Sequence, residues 1–174
     1  MHNSVVVALS ESLASAGFMA LRFNFRGMCG GDSGYGEAGE AREDVEAALR
    51  WLASEVGLDV PMLVAGYSFG AWAGYPVACG NPGVTGVLCV APPLDLLPMS
   101  PPTASTTPLA KWFALGDRDE FCSLGTFRAW YQGLAEPKQA EVLSGADHFL
   151  QGREDEVGAA AAVFALSIRQ QSRS

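Results

Sequence analysis

Residues 63–74 read LVAGYSFGAWAG. A serine, Ser68, stands between Gly66 and Gly70 where a short apolar run gives way to a longer stretch of small and apolar residues. MLVA before the motif reads as a buried strand and AWAGYPVA after it as a helix, so the serine falls on a strand-to-helix turn. A serine on so sharp a turn takes a strained backbone, and small residues on both sides are expected to let strand and helix approach. The same turn would lift the Ser68 hydroxyl into the crevice at the carboxyl ends of the strands. It would also aim the Phe69 N–H at a developing oxyanion.

Outward from this motif the chain alternates helical and strand-like segments. Val5, Val6, Leu9 and Leu13 have helical spacing, with Gly17 as a stop. FMALRFNF at 18–25 reads as a strand that runs into a glycine-rich loop. Val45, Leu49, Leu52 and Val56 form the stripe of a second helix, with Gly57 as its cap. Further strands are expected at PMLVAG (61–66), GVTGVLCVAPP (83–93), KWFALGD (111–117) and QAEVLSG (139–145). Helices are expected at 123–134 and 153–168. Short, nearly all-apolar strands between helices of ten to eighteen residues predict a mostly parallel sheet covered on both faces, hence the α/β class. No repeat or linker marks a second unit, so residues 1–174 are expected to form one domain.

The net charge of -8 would repel phosphate backbones and anionic lipid, so neither nucleic acid nor membrane is an expected partner. No apolar run approaches the roughly 18 residues of a membrane span, and MHNSVVVALS lacks the basic start of a secretory signal; a cytoplasmic location is the default. Cys29, Cys79, Cys89 and Cys122 match no zinc spacing and are expected to be reduced, with the place of Cys122 left open. Two histidines, His2 and His148, cannot build a metal site, and no metal or cofactor is expected.

Two other glycine motifs compete with the first. Gly-Asp-Ser-Gly at 31–34 matches the nucleophile signature of trypsin-like proteases, but those are all-β, and a loop with local Asp32 and Ser33 hydrogen bonds suffices. Gly34 to Gly39 fits G-x-G-x-x-G. It lies about eight residues from the end of its strand, however, and Glu37, Glu40, Glu43 and Asp44 would crowd a pyrophosphate.

A serine nucleophile needs a base, and the base needs an orienting acid. His148, in SGADHFL between the last strand and the last helix, is the credible base; His2 has no such setting. ALGDRDEFC offers Asp117, Asp119 and Glu120 as acids. Each candidate falls at the carboxyl end of an expected strand. Their chain order of serine, acid and histidine differs from those of chymotrypsin and subtilisin.

LRFNFRG with its glycine-rich loop, AGYSFGAWAG, VAPP, GDRDEF and GADHF resemble the small, lidless α/β-hydrolases of the dienelactone-hydrolase-like and serine-aminopeptidase-like branch. The resemblance implies a three-layer sandwich with Ser68 as nucleophile, Asp119 as acid and His148 as base, while Asp117 fixes its loop. It also marks a departure. The family carries strands and a second oxyanion loop ahead of the helix that starts here at Met1, so the chain is expected to be a shortened form. One strand of the family's sheet would lie between LRFNF and MLVAG. Those two segments should therefore close the gap, borrow a strand or pair with each other.

These readings converge on a serine hydrolase that cleaves a small ester through an acyl-enzyme on Ser68. The alternative is a weakly active or inactive binding or scaffold protein of the same fold. The proline-rich 93–109 segment, with Leu94, Leu96, Leu97 and Met99, could form a flap over an otherwise open site. Arg22 and Arg26 are expected to brace the site loops through buried hydrogen bonds.

Overall fold

In β2 (Val84–Val90) and β3 (Ala110–Gly116) every second side chain enters a different apolar cluster. Val87, Cys89, Phe113 and Leu115 pack on one side, and Leu88, Val90, Trp112 and Ala114 on the other. A strand buried on both faces is apolar almost throughout, which is why these segments carry no polar alternation; the buried Lys111 at the start of β3 donates its ammonium to the Leu109 and Ala135 carbonyls. The computed structural model describes residues 2–26, 38–57, 60–99 and 109–171.

β1 (Met62–Tyr67), β2, β3 and β4 (Lys138–Leu143) form one parallel sheet in that order. α1 (Ser4–Ser15) and α5 (Glu154–Gln171) cover one face; α2 (Ala38–Val56), α3 (Phe69–Gly80) and α4 (Leu124–Gln132) cover the other. The α/β class and the three layers are as expected. The Asn3 side chain accepts from the Val6 N–H to start α1, and Gly17 and Gly57 end α1 and α2 with φ of 83° and 99°.

Two strand expectations need correction. Residues 18–25 form no strand and stand apart from the sheet. Between them and β1 runs an apolar cavity of about 910 Å³, lined among others by Leu21, Phe25, Leu63 and Ala65. Among the described residues the segment joins no ladder, although its residues are strand-like, and the gap between it and β1 is not closed by a strand. β4 is not apolar either. As an edge strand it exposes most of its residues, and polar and charged side chains suit that position.

Of the expected 93–109 flap, residues 100–108 lie outside the described residues, and 93–99 is tied down by packing. Leu94 and Met99 are buried in the α3/α4 cluster, and the Trp130 indole N–H donates to the Met99 carbonyl. Among the described residues no helix is long and apolar enough to cross a membrane. Gly-Asp-Ser-Gly and most of the G-x-G-x-x-G match lie outside the described residues, as does Cys29.

Candidate active site

Ser68 follows β1 and opens α3 with φ 50° and ψ −116°. For a residue with a Cβ this backbone costs on the order of 1–3 kcal/mol. It is fixed from both sides, since the Ser68 N–H donates to the Val90 carbonyl (2.9 Å) and the Ser68 carbonyl accepts from the Trp72 N–H (3.1 Å). The flanking glycines are not equivalent. A Cβ on Gly66 would lie 2.4 Å from the Gly70 carbonyl carbon and oxygen, whereas one on Gly70 would meet only the Phe25 ring, at 3.9 Å. Of the two motif glycines, close approach of α3 to β1 therefore depends on Gly66; further along α3, a Cβ on Gly74 would also crowd the Val64 side chain, at 2.9 Å.

His148 lies in the loop between β4 and α5, 80 residues from Ser68 and 29 from Asp119, yet its imidazole touches both. Its Nε2 is 2.8 Å from Ser68 Oγ, and its Nδ1 is 3.0 Å from each Asp119 carboxylate oxygen. An ionised carboxylate can only accept, so the ring proton sits on Nδ1, and Nε2 is left to accept from the Ser68 hydroxyl. His148 and Asp119 are both buried. Asp119 also accepts from the Phe121 N–H at 2.8 Å. The rings of Tyr67, Phe121 and Phe149 surround the imidazole, with centroids at 5.6, 4.7 and 5.8 Å.

Asp117 takes a different part. Its carboxylate accepts from the Gly145 N–H (2.7 Å) and the Ser144 hydroxyl (3.2 Å), tying the loop after β3 to the histidine loop. The closeness of these loops rests on a residue the sequence reading passed over. A Cβ on Gly116 would come within 2.0 Å of the Ala146 carbonyl oxygen. The one available signal was a glycine at the end of an otherwise bulky strand.

Phe69 is the first residue of α3, where the helix dipole favours negative charge. Its ring meets Phe25 edge-on at 5.1 Å, and Ser68 shares the apolar cavity with both. His2 is exposed ahead of α1. Among the described residues no group of three or more His, Cys, Asp or Glu could hold a metal ion.

The family model for the alpha/beta hydrolase domain matches residues 1–173. The chain belongs to the α/β-hydrolase family. An uncharacterized protein of Rickettsia prowazekii is 27% identical to this hydrolase over 179 residues, covering 97% of the chain and 74% of that protein. A solved α/β serine hydrolase homologue from Coxiella burnetii is 31% identical, with a TM-score of 0.81 over 94% of this chain and 76% of its own. An α/β serine hydrolase without a lid from Xanthomonas campestris, 22% identical, shares the fold at a TM-score of 0.81 over 96% of this chain and 74% of its own.

In this α/β hydrolase the expected arginine brace forms at Arg26, but on the surface. Its side chain, 56% exposed, pairs with Glu43 and Asp44 and donates to the Glu40 carbonyl, joining the end of the 18–26 segment to α2. Arg22 is exposed. Cys89 and Cys122 are buried and Cys79 is partly so; all three are free thiols. Burial pushes the Cys122 thiol up to about 12, which leaves it protonated and inert.

Proposed function

We propose that this α/β hydrolase is a cytoplasmic serine hydrolase that cleaves a small carboxylic ester through an acyl-enzyme on Ser68, without a cofactor. The observation that carries the reading is the unbroken hydrogen-bonded run from Ser68 Oγ through the His148 imidazole to Asp119, at 2.8 and 3.0 Å. The serine hydrolase homologue from Coxiella burnetii is in keeping with it. The negative net charge argues against nucleic acid as a partner.

In this mechanism Ser68 Oγ attacks the ester carbonyl carbon as its proton passes to His148 Nε2. Asp119 holds the Nδ1–H and stabilises the imidazolium. Charge on the carbonyl oxygen faces the Phe69 N–H and the amino end of α3. The imidazolium then protonates the leaving alkoxide. Water, deprotonated by His148, attacks the acyl carbon, and Ser68 regains its proton as the acid departs. The apolar cavity beside Ser68 offers room for the hydrophobic part of the ester.

Fluorophosphonate labelling of the full chain beside Ser68→Ala, with the modified peptide read by mass spectrometry, tests this. Labelling confined to Ser68, with turnover of short-chain esters, is expected. No labelling of a folded sample would favour the binding or scaffold reading.

A further inference from the structure

Both peptide groups of His148 are held by side chains from the segments that carry its two partners. The Tyr67 hydroxyl donates to the His148 carbonyl oxygen at 3.1 Å, and Tyr67 is the last residue of β1, directly before Ser68. The Glu120 carboxylate accepts from the His148 N–H at 3.3 Å, and Glu120 directly follows Asp119. We propose that Tyr67 and Glu120 are positioning residues that lock the His148 peptide to the strand ends bearing Ser68 and Asp119.

The rest of the loop is secured elsewhere. Ala146 accepts from the Arg118 N–H, Gly145 donates to Asp117, and Asp147 accepts from the Phe149 and Leu150 N–H groups of its own loop. These bonds fix the loop to the β3 side and to itself; the Tyr67 hydroxyl ties it to β1. That matters because the imidazole must meet Ser68 on one side and Asp119 on the other, and a shift of about 1 Å in such a relay costs on the order of 100-fold in rate. Burial and the nearby Asp119, Asp147 and Glu120 carboxylates push the Tyr67 phenol up to about 12, so it stays a donor at ordinary assay pH.

The proposal rests on the serine-hydrolase reading, and one set of measurements separates them. Fluorophosphonate inactivation of the full chain is resolved into its maximal rate and its half-saturating concentration for wild type, Tyr67→Phe, Glu120→Gln and Glu120→Ala. Thermal unfolding is followed alongside. Tyr67→Phe keeps the ring and removes only the donor; Glu120→Gln keeps an acceptor that Glu120→Ala lacks.

Tyr67→Phe and Glu120→Ala are expected to lower the maximal rate by roughly tenfold with half-saturation within about twofold. Glu120→Gln is expected to stay near wild type, and Tm to move by no more than about 2 °C. A wild-type maximal rate in Tyr67→Phe would overturn the proposal, as would a loss confined to half-saturation or one that follows a fall in Tm. Either result with a labelled wild type leaves the serine-hydrolase reading standing. An unlabelled wild type removes that reading and the proposal with it.

Discussion

At Gly66 a hydrogen stands where any other residue would put a carbon 2.4 Å from the Gly70 backbone. No rotamer relieves that clash, because the backbone fixes where the Cβ lies and the atoms it meets belong to the main chain, so either β1 or the first turn of α3 must shift. Gly66→Ala is expected to cost about 3 kcal/mol, the upper end for overpacking, and to abolish Ser68 labelling by displacing the turn. Gly70→Ala has room beside Phe25 and should be neutral or gain up to about 1 kcal/mol from helix propensity. Urea unfolding of the two variants checks the contrast; equal losses would mean that both glycines are needed. The sequence marked both positions because the motif is symmetric, while the structure uses them unequally. Similar limits apply to the acid. Chain order and strand ends placed it among Asp117, Asp119 and Glu120, and it took the family resemblance to single out Asp119. Which of them meets His148 is decided by the turn after β3, where the Asp117 N–H bonds the Leu143 carbonyl and the Arg118 N–H bonds the Ala146 carbonyl. No periodicity encodes that turn.

α4 begins with Ser123 as its N-cap, and the cap is itself held by Asp95, which accepts from the Ser123 N–H at 2.6 Å and from the Thr126 hydroxyl. These donors hold the Asp95 carboxyl below the usual carboxylate range. A depressed folded-state pKa means stability that is full above the unfolded value, near about 4, and is lost as pH falls through the folded one. Asp95→Asn is therefore expected to lower Tm at pH 7 by on the order of 2 °C, a modest amount for an exposed group. The difference should begin to shrink below about pH 4 and close only once pH passes below the folded-state value. Calorimetry at pH 7 and pH 3 measures it, and a difference that does not shrink in acid would show that the carboxylate charge is not what holds the cap. Elements such as α4 were legible because capping and periodicity are local. The 18–25 segment was misread for the opposite reason: its apolar and aromatic residues satisfy every local rule for a strand, but a ladder needs a neighbour, and here a cavity lies where that neighbour would be.

Across the described residues the sheet is closed at its centre and open at both edges, β1 and β4. β2 and β3 are sealed by both apolar clusters, whereas β1, which leads into Ser68, is an edge strand with Ala65 exposed and the cavity alongside. Alternating helices and apolar strands made the α/β class and the two-sided core readable. The gap beside β1 was readable from the family resemblance, but not that it stays unfilled, since that depends on which segments pair, and the apolar run at 62–66 suits a central strand as well as an edge one. An unpaired apolar edge beside a large cavity exposes surface that folded proteins usually cover. The folded chain is accordingly expected to bind the apolar dye 1-anilinonaphthalene-8-sulfonate while keeping its near-ultraviolet circular dichroism, which separates a built groove from a loosened core. Ala65→Phe adds bulk at an exposed position of the cavity lining and should reduce dye fluorescence with the near-ultraviolet spectrum unchanged. Dye binding that ignores this substitution would place the exposed apolar surface elsewhere. Binding that appears only as the near-ultraviolet signal is lost would mean that the groove collapses in solution, with 18–25 drawn onto the edge of β1.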